Sequence, residues 1–321
     1  MREIEITEIK GIQIGHAQNE EGGTGCTVIL CEEGAVAGVD VRGGGPASRE
    51  TELLKPVNLI EQIHAVMLSG GSAYGLDAAS GAMQYLEERG KGFDVQVATV
   101  PIVCGASLFD LVVGDPKCRP DRKMGYEACL NASKGMTAQG NIGAGTGATV
   151  GKFLGPEHMM KGGFGIYAVQ LGALQVGAAV AVNALGDVID VNSGKRLAGI
   201  LNADHQSIGN TEEIMYSQYD EDRNVFHGNT TIGCIVTNAK LTKSQANKLA
   251  SIAQNGLARA ILPVHTMADG DTVFTLATGE TEVLFDAVGA LAAEVMAKAI
   301  NRAVLQAEPA YGLKAARDFA R

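Results

Sequence analysis

A threonine at the junction of a polar turn and an apolar run gives this chain a candidate nucleophile. The segment His227-Gly228-Asn229-Thr230-Thr231-Ile232 leads into Gly233-Cys234-Ile235-Val236-Thr237-Asn238. If the Asn229–Thr230 bond is cut, the new α-amino group of Thr230, with an ordinary pKa of roughly 8, can deprotonate its own hydroxyl. One residue then supplies nucleophile and base, and no Ser-His-Asp triad is required. By itself the motif is weak, because Asn-Thr turns are common and threonine often opens strands.

A second motif lies downstream, His265-Thr266-Met267-Ala268-Asp269-Gly270-Asp271-Thr272-Val273-Phe274. Between the two, Leu241 to Leu262 reads as an amphipathic helix, with Leu249, Ile252, Ala253, Leu257 and Ala260 at helical spacing. A strand, helix, turn and strand in this order can return the Asp-Gly-Asp turn to the start of the first strand. Taken alone, Asp-Gly-Asp reads as a hairpin turn with solvated carboxylates.

The run Gly228 to Thr278 resembles the C-terminal part of the DmpA-like self-processing aminopeptidases, and within them most resembles the threonine-type nylon-oligomer (aminohexanoate-oligomer) hydrolases. Further landmarks are Gly15-His16, Thr24-Gly25-Cys26-Thr27-Val28, Asp40-Val41-Arg42-Gly43-Gly44, Ser69-Gly70-Gly71-Ser72-Ala73-Tyr74-Gly75-Leu76 and Gly143 to Lys152. The resemblance implies that Thr230 is the nucleophile and Asn229–Thr230 the self-cleavage site. It implies that Lys152 tunes the protonation of the nucleophile and that Asn183 stabilises the oxyanion. Asp269 and Asp271 would orient the threonine and its amine. Phe109 stands where relatives often carry tyrosine, so a phenol hydroxyl is missing there. The implied fold is α+β, a four-layer α/β/β/α sandwich with two central sheets, like that of the ornithine acetyltransferases. The implied assembly is a homo-oligomer, a tetramer of processed pairs made of residues 1–229 and 230–321.

The chemistry is coherent on the residues themselves. The Thr230 hydroxyl can attack the Asn229 carbonyl to give an ester, which water resolves. Lys152 would lower the proton affinity of the freed amine by like-charge repulsion, and the two aspartates would offset the added charge. An Asn183 amide donated to the oxyanion is typically worth about 3–4 kcal/mol. Substrates would be small peptides or aliphatic oligoamides. An acyl transferase like the ornithine acetyltransferases is a second enzyme reading. A third is an unprocessed glycine-rich protein that binds an anion on Gly143 to Lys152.

Composition sets the limits. The chain has 321 residues, 46% of them hydrophobic, enough for a large core in a single domain. A net charge of −10 argues against nucleic acid or an anionic membrane as a main partner. Met1-Arg2-Glu3-Ile4-Glu5-Ile6 alternates like an edge strand and has no signal-peptide pattern, and no apolar run approaches a bilayer span, so a cytoplasmic protein is expected. Cys26, Cys31, Cys104, Cys118, Cys129 and Cys234 form no CxxC pair and no histidine cluster has zinc spacing. Neither cofactor nor metal is expected.

Strands are predicted over 26–30 and 36–41 with a turn at Glu33-Gly34, and a meander over 166–171, 175–182 and 188–191. Helices are predicted over 74–89, 122–138 and 286–303, with a long loop over 192–229 and a basic tail over 312–321. Two rival motifs fail. Gly145 to Phe153 has Thr146 where a phosphate loop needs its first glycine, and Phe153 in place of the final Ser or Thr. Gly70-Gly71-Ser72-Ala73-Tyr74 lacks the last glycine of a nucleophile elbow. The Gly70 and Gly71 amides remain candidate oxyanion donors beside a helix start.

Overall fold

The computed structural model describes residues 1–132, 135, 137–220 and 228–319. His227, the acidic Glu221 and Asp222, part of the 122–138 helix prediction and the last two residues of the tail lie outside them.

Ten strands form one hydrogen-bonded system: β1 (Arg2–Ile4), β2 (Gln13–Asn19), β3 (Thr24–Val41), β4 (Ala47–Arg49), β5 (Gln62–Ser69), β6 (Val103–Ser107), β7 (Gly163–Leu171), β8 (Leu174–Asn183), β9 (Thr230–Ala239) and β10 (Thr272–Thr281). Their order is β1-β7-β8-β9-β10-β3-β5-β6-β4, with β2 also on β3. β3 joins two sheets. Its first half pairs with β2 and β5, and its second half, Val36 to Val41, pairs with β10. The expected turn at Glu33-Gly34 is absent. Gly34, at φ +85°, lies within an irregularity between Leu30 and Ala35, and the strand continues through it. The extra residues are absorbed as a bulge, which bends a strand without ending it.

Alternation along the strands separates three apolar layers. Ile232, Cys234 and Val236 of β9 turn to the space between the sheets, where they meet Phe274, Leu276, Ile29, Val66 and Leu68. Ile235 turns the other way, onto Leu249 and Leu257 of α3 (Lys243–Ala260) and Met296 of α4 (Phe285–Leu305). Val28, Leu30, Ala65 and Met67 pack on α1 (Ala78–Glu87) and α2 (Arg122–Leu130). Three apolar layers between helices, sheet, sheet and helices make the expected α/β/β/α sandwich. α1 and α2 touch backbone to backbone: a Cβ on Gly81 would lie 2.0 Å from the Arg122 carbonyl, and one on Gly125 would lie 1.9 Å from that of Ala78.

Several predicted elements differ. Residues Ser72–Asp77 form a 3₁₀ turn before α1, where the Ser69 hydroxyl takes the Gly75 carbonyl at 2.9 Å. α2 ends at Leu130, and Asn131 after it donates its side chain to the His16 carbonyl. The third meander strand, Asp187–Ile189, leaves the main sheet and pairs with Arg196–Ala198 and Ile261–Leu262. The predicted loop over 192–229 contains the Arg196–Ala198 strand and a helix, Thr211–Ser217. Buried Asp187 organises it, accepting from the Ile200 and Thr211 amides, the Thr211 hydroxyl and Arg196 at 2.6–3.1 Å. The N-terminal strand lies at a sheet edge, as expected. Among the described residues, no helix is long and apolar enough to cross a membrane.

Candidate active site

Thr230 opens β9 and pairs with Asn183, which closes β8. The parallel neighbour β10 begins just after Asp271, so the Asp269-Gly270-Asp271 turn reaches the same end of the sheet. α3 provides the crossover between these parallel strands, as the strand-helix-turn-strand layout anticipates. Lys152 arrives from the loop that follows Thr149–Val150. All five side chains are buried, Thr230 with 4% exposure and Lys152 and Asn183 with none.

The Lys152 ammonium donates to the Asn183 carbonyl (3.0 Å), the Asn183 Oδ1 (2.8 Å) and the Gly228 carbonyl (2.8 Å), which satisfies its three N–H groups. Burial nevertheless pulls its pKa down to about 7, with Asp269 and Asp110 opposing and Lys161 assisting. Asn183 Oδ1 also accepts from the Thr149 amide at 2.9 Å, which fixes the amide orientation. Its Nδ2 then points to the carbonyls of Phe109 (2.9 Å) and Gly228 (3.3 Å). The Gly228 carbonyl thus lies between two donors, Lys152 and Asn183.

The two aspartates differ in their partners. Asp269 accepts from the Leu185 amide and from the amide and hydroxyl of Thr266, the last at 2.5 Å. Burial, and then the neighbouring Asp271 charge, raise its pKa to about 6. Asp271 accepts from the Thr231 amide at 2.7 Å on one oxygen, and from His265 on the other. Between them, the Gly270 amide donates to the Asn229 carbonyl at 3.0 Å, and the Thr230 hydroxyl hydrogen-bonds the same oxygen. A Cβ on Gly270 would lie 2.7 Å from the Thr230 Oγ1, so only glycine fits. A cavity of about 130 Å³ opens on Thr230 and Asn229, with Phe109, Ser72, Ser107 and Met267 among its walls. Met267 is 82% exposed and stands at the mouth.

Two sequence expectations are corrected. The Gly70 amide is taken by the Gly25 carbonyl (2.8 Å) and the Gly71 amide by the Asp110 carboxylate (2.7 Å), so neither is available as an oxyanion donor. Nor does the 143–152 loop present a cradle of amides. Its Ala144, Thr149, Gly151 and Lys152 amides are bound to Thr27, Asn183, Gly186 and Leu185. Its Gly145, Thr146 and Ala148 carbonyls instead surround the buried Lys161 ammonium at 2.8–3.3 Å. The loop holds a cation of the protein itself. Sequence reading missed Gly270 as a donor, His265 and Thr266 as holders of the aspartates, and the buried charged groups Asp110 and Lys161. The Thr266–Asp269 spacing of three was the one local signal for these.

A sandwich of two helix-covered sheets is also the fold of a solved aminopeptidase described as a new variant among the Ntn-hydrolase fold. The fold superposes on an L-aminopeptidase D-Ala-esterase/amidase of Ochrobactrum anthropi with a TM-score of 0.74 at 18% identity, covering 98% of this chain and 92% of that one. It superposes on a β-aminopeptidase of Burkholderia sp. with a TM-score of 0.72 at 20% identity, covering 97% and 90%. The model of peptidase family S58 matches residues 5–317, and the chain belongs to that family. Among its relatives, a protein of Mycobacterium leprae described as an uncharacterized aminopeptidase is 40% identical over 96% of this chain and 92% of its own length. A 6-aminohexanoate-oligomer endohydrolase of Kocuria sp. is 31% identical over 94% and 86%. The chain is a hydrolase of amide C–N bonds.

Proposed function

We propose that the chain cuts itself before Thr230 and then uses the exposed threonine as nucleophile and base against peptides or aliphatic oligoamides. The contact that carries this proposal is the Thr230 hydroxyl on the Asn229 carbonyl, whose oxygen also receives the Gly270 amide at 3.0 Å. Attack of Oγ on that carbonyl carbon puts negative charge on an oxygen already facing a donor. Collapse breaks the C–N bond as the hydroxyl proton passes to the departing nitrogen. The resulting Asn229 ester takes up water, giving a carboxylate, a free hydroxyl and a primary amine on Thr230.

Turnover uses a different oxyanion site. The Gly228 carbonyl between Lys152 and Asn183 occupies, in the uncut chain, the place of a substrate carbonyl. Withdrawal of the cut end frees both donors toward the acyl group on Thr230. Lys152, near the midpoint of its titration at neutral pH, opposes protonation of the new amine whenever it is charged. Acylation of Thr230 releases the amine product, and water then deacylates it.

The small cavity, with Phe109 and Met267 as apolar walls and two serine hydroxyls, suits a short acyl segment. Purified protein run on a denaturing gel, followed by N-terminal sequencing, tests the proposal. Two fragments, the smaller starting at Thr230, are expected. A fully active single chain overturns it.

A further inference from the structure

His265 lies outside the five sequence-derived candidates and holds one of them, Asp271, directly. It stands in the left-handed region at φ +58°, which most residues other than glycine avoid and in which asparagine, aspartate and histidine are the commoner side-chain-bearing exceptions. In that position its backbone amide (3.1 Å) and its ring Nδ1 (2.8 Å) both reach Oδ2 of buried Asp271. A carboxylate only accepts, so Nδ1 carries the proton. The ring Nε2 is buried and has no hydrogen-bond partner among the described residues. With Oδ2 held twice by one residue, Oδ1 is left to the Thr231 amide at 2.7 Å.

We propose that His265 is a positioning residue for the nucleophile, acting through Asp271. This rests on Thr230 being the nucleophile. In the uncut chain, Thr230 is tethered on both sides by peptide bonds. After cleavage its amino side is free, and its placement depends on the β8 ladder and on the Asp271–Thr231 bond. A tilt of Asp271 then moves the attacking oxygen directly, and a misplacement of about 1 Å can cost about 100-fold in rate. His265 therefore matters more to acylation by the mature threonine than to substrate binding or to the fold.

Three variants separate the ring from the backbone. His265→Asn tolerates the left-handed conformation and offers an amide N–H where Nδ1 stands. His265→Gly keeps that conformation without a side-chain donor. His265→Ala loses the donor and strains the backbone. Each is assayed for self-cleavage, for kcat and KM of the cleaved fraction on amino-acid amides and an aminohexanoate oligomer, and for Tm. Expected is a loss of about tenfold or more in kcat for His265→Gly at near-constant KM, with most activity kept by His265→Asn. Equal activity of the Gly and Asn variants, or losses that follow Tm alone, overturns the proposal. Failure of the underlying reading looks different: the wild type then stays uncut, or Thr230→Ala stays active, whatever His265 does.

Discussion

Asn183 and Thr230 face each other across the β8–β9 ladder, the last residue of one strand opposite the first of the next. Backbone hydrogen bonding in the middle of the molecule therefore fixes the distance between the amide that would hold an oxyanion and the hydroxyl that would create it. Lys152 adds to this arrangement by bonding both the carbonyl and the side chain of Asn183.

Replacing Thr230 by alanine removes the attacking oxygen and keeps the strand. One full-length band and no measurable hydrolysis are expected, and retained turnover would count against the nucleophile. Thr230→Ser keeps a hydroxyl, and slower cleavage at the same site is expected from sequencing of the fragments.

Gly270→Ala places a methyl group 2.7 Å from the Thr230 oxygen and 2.8 Å from the Gly45 carbonyl. The turn has to shift, taking the Gly270 amide away from the Asn229 carbonyl. Accumulation of uncut precursor is expected, with a loss of about 100-fold or more in self-cleavage rate, comparable to removal of an oxyanion donor. A gel time course after synthesis measures it.

Lys152 sets the direction of the pH response. A nearby positive charge makes a second cation harder to form, so the Thr230 amine loses its proton at lower pH while Lys152 is charged. Since the Lys152 pKa lies at about 7, the two groups titrate together and turnover should rise through neutrality. In Lys152→Met the repulsion is gone, the amine holds its proton more tightly, and the acidic limb of kcat/KM moves to higher pH. A pH–rate profile of the active-site-titrated cleaved fraction decides this, and an unmoved or more acidic limb rejects it.

Phe274 tests the two-sheet core. It is fully buried between the sheets, against Ile232, Cys234 and Leu276. Phe274→Ala should cost about 3–5 kcal/mol, seen as a lower Tm or denaturant midpoint. A change within error would mean that this layer is not a packed core.

Single elements are legible wherever hydrophobic spacing does the work, whereas the sandwich itself is implied only by the family resemblance. Ile232, Cys234 and Val236 against Ile235 announce a strand buried on both faces, and α3 announces its apolar stripe. The segment after Asp190 was not legible, because a single carboxylate, Asp187, gathers partners up to 24 residues away and leaves no periodic trace. Gly70-Gly71 misled for a similar reason: the acceptor that occupies the Gly71 amide is Asp110, 39 residues further on. At the candidate site, residue types were readable from the motifs. The division of Asp271 between Thr231 and His265, and the Gly270 donor, depend on the conformation of a tight turn.

The sheet order carries a further consequence. β9 and β10 lie beyond the proposed cut in sequence, yet in space they stand between β8 and β3. The C-terminal fragment is a wedge driven into the N-terminal one and zipped to it along both flanks. A precursor can assemble that arrangement as one molecule. A matured pair, once melted, must find its counterpart again by diffusion, so recovery from denaturant should depend on protein concentration only after the cut.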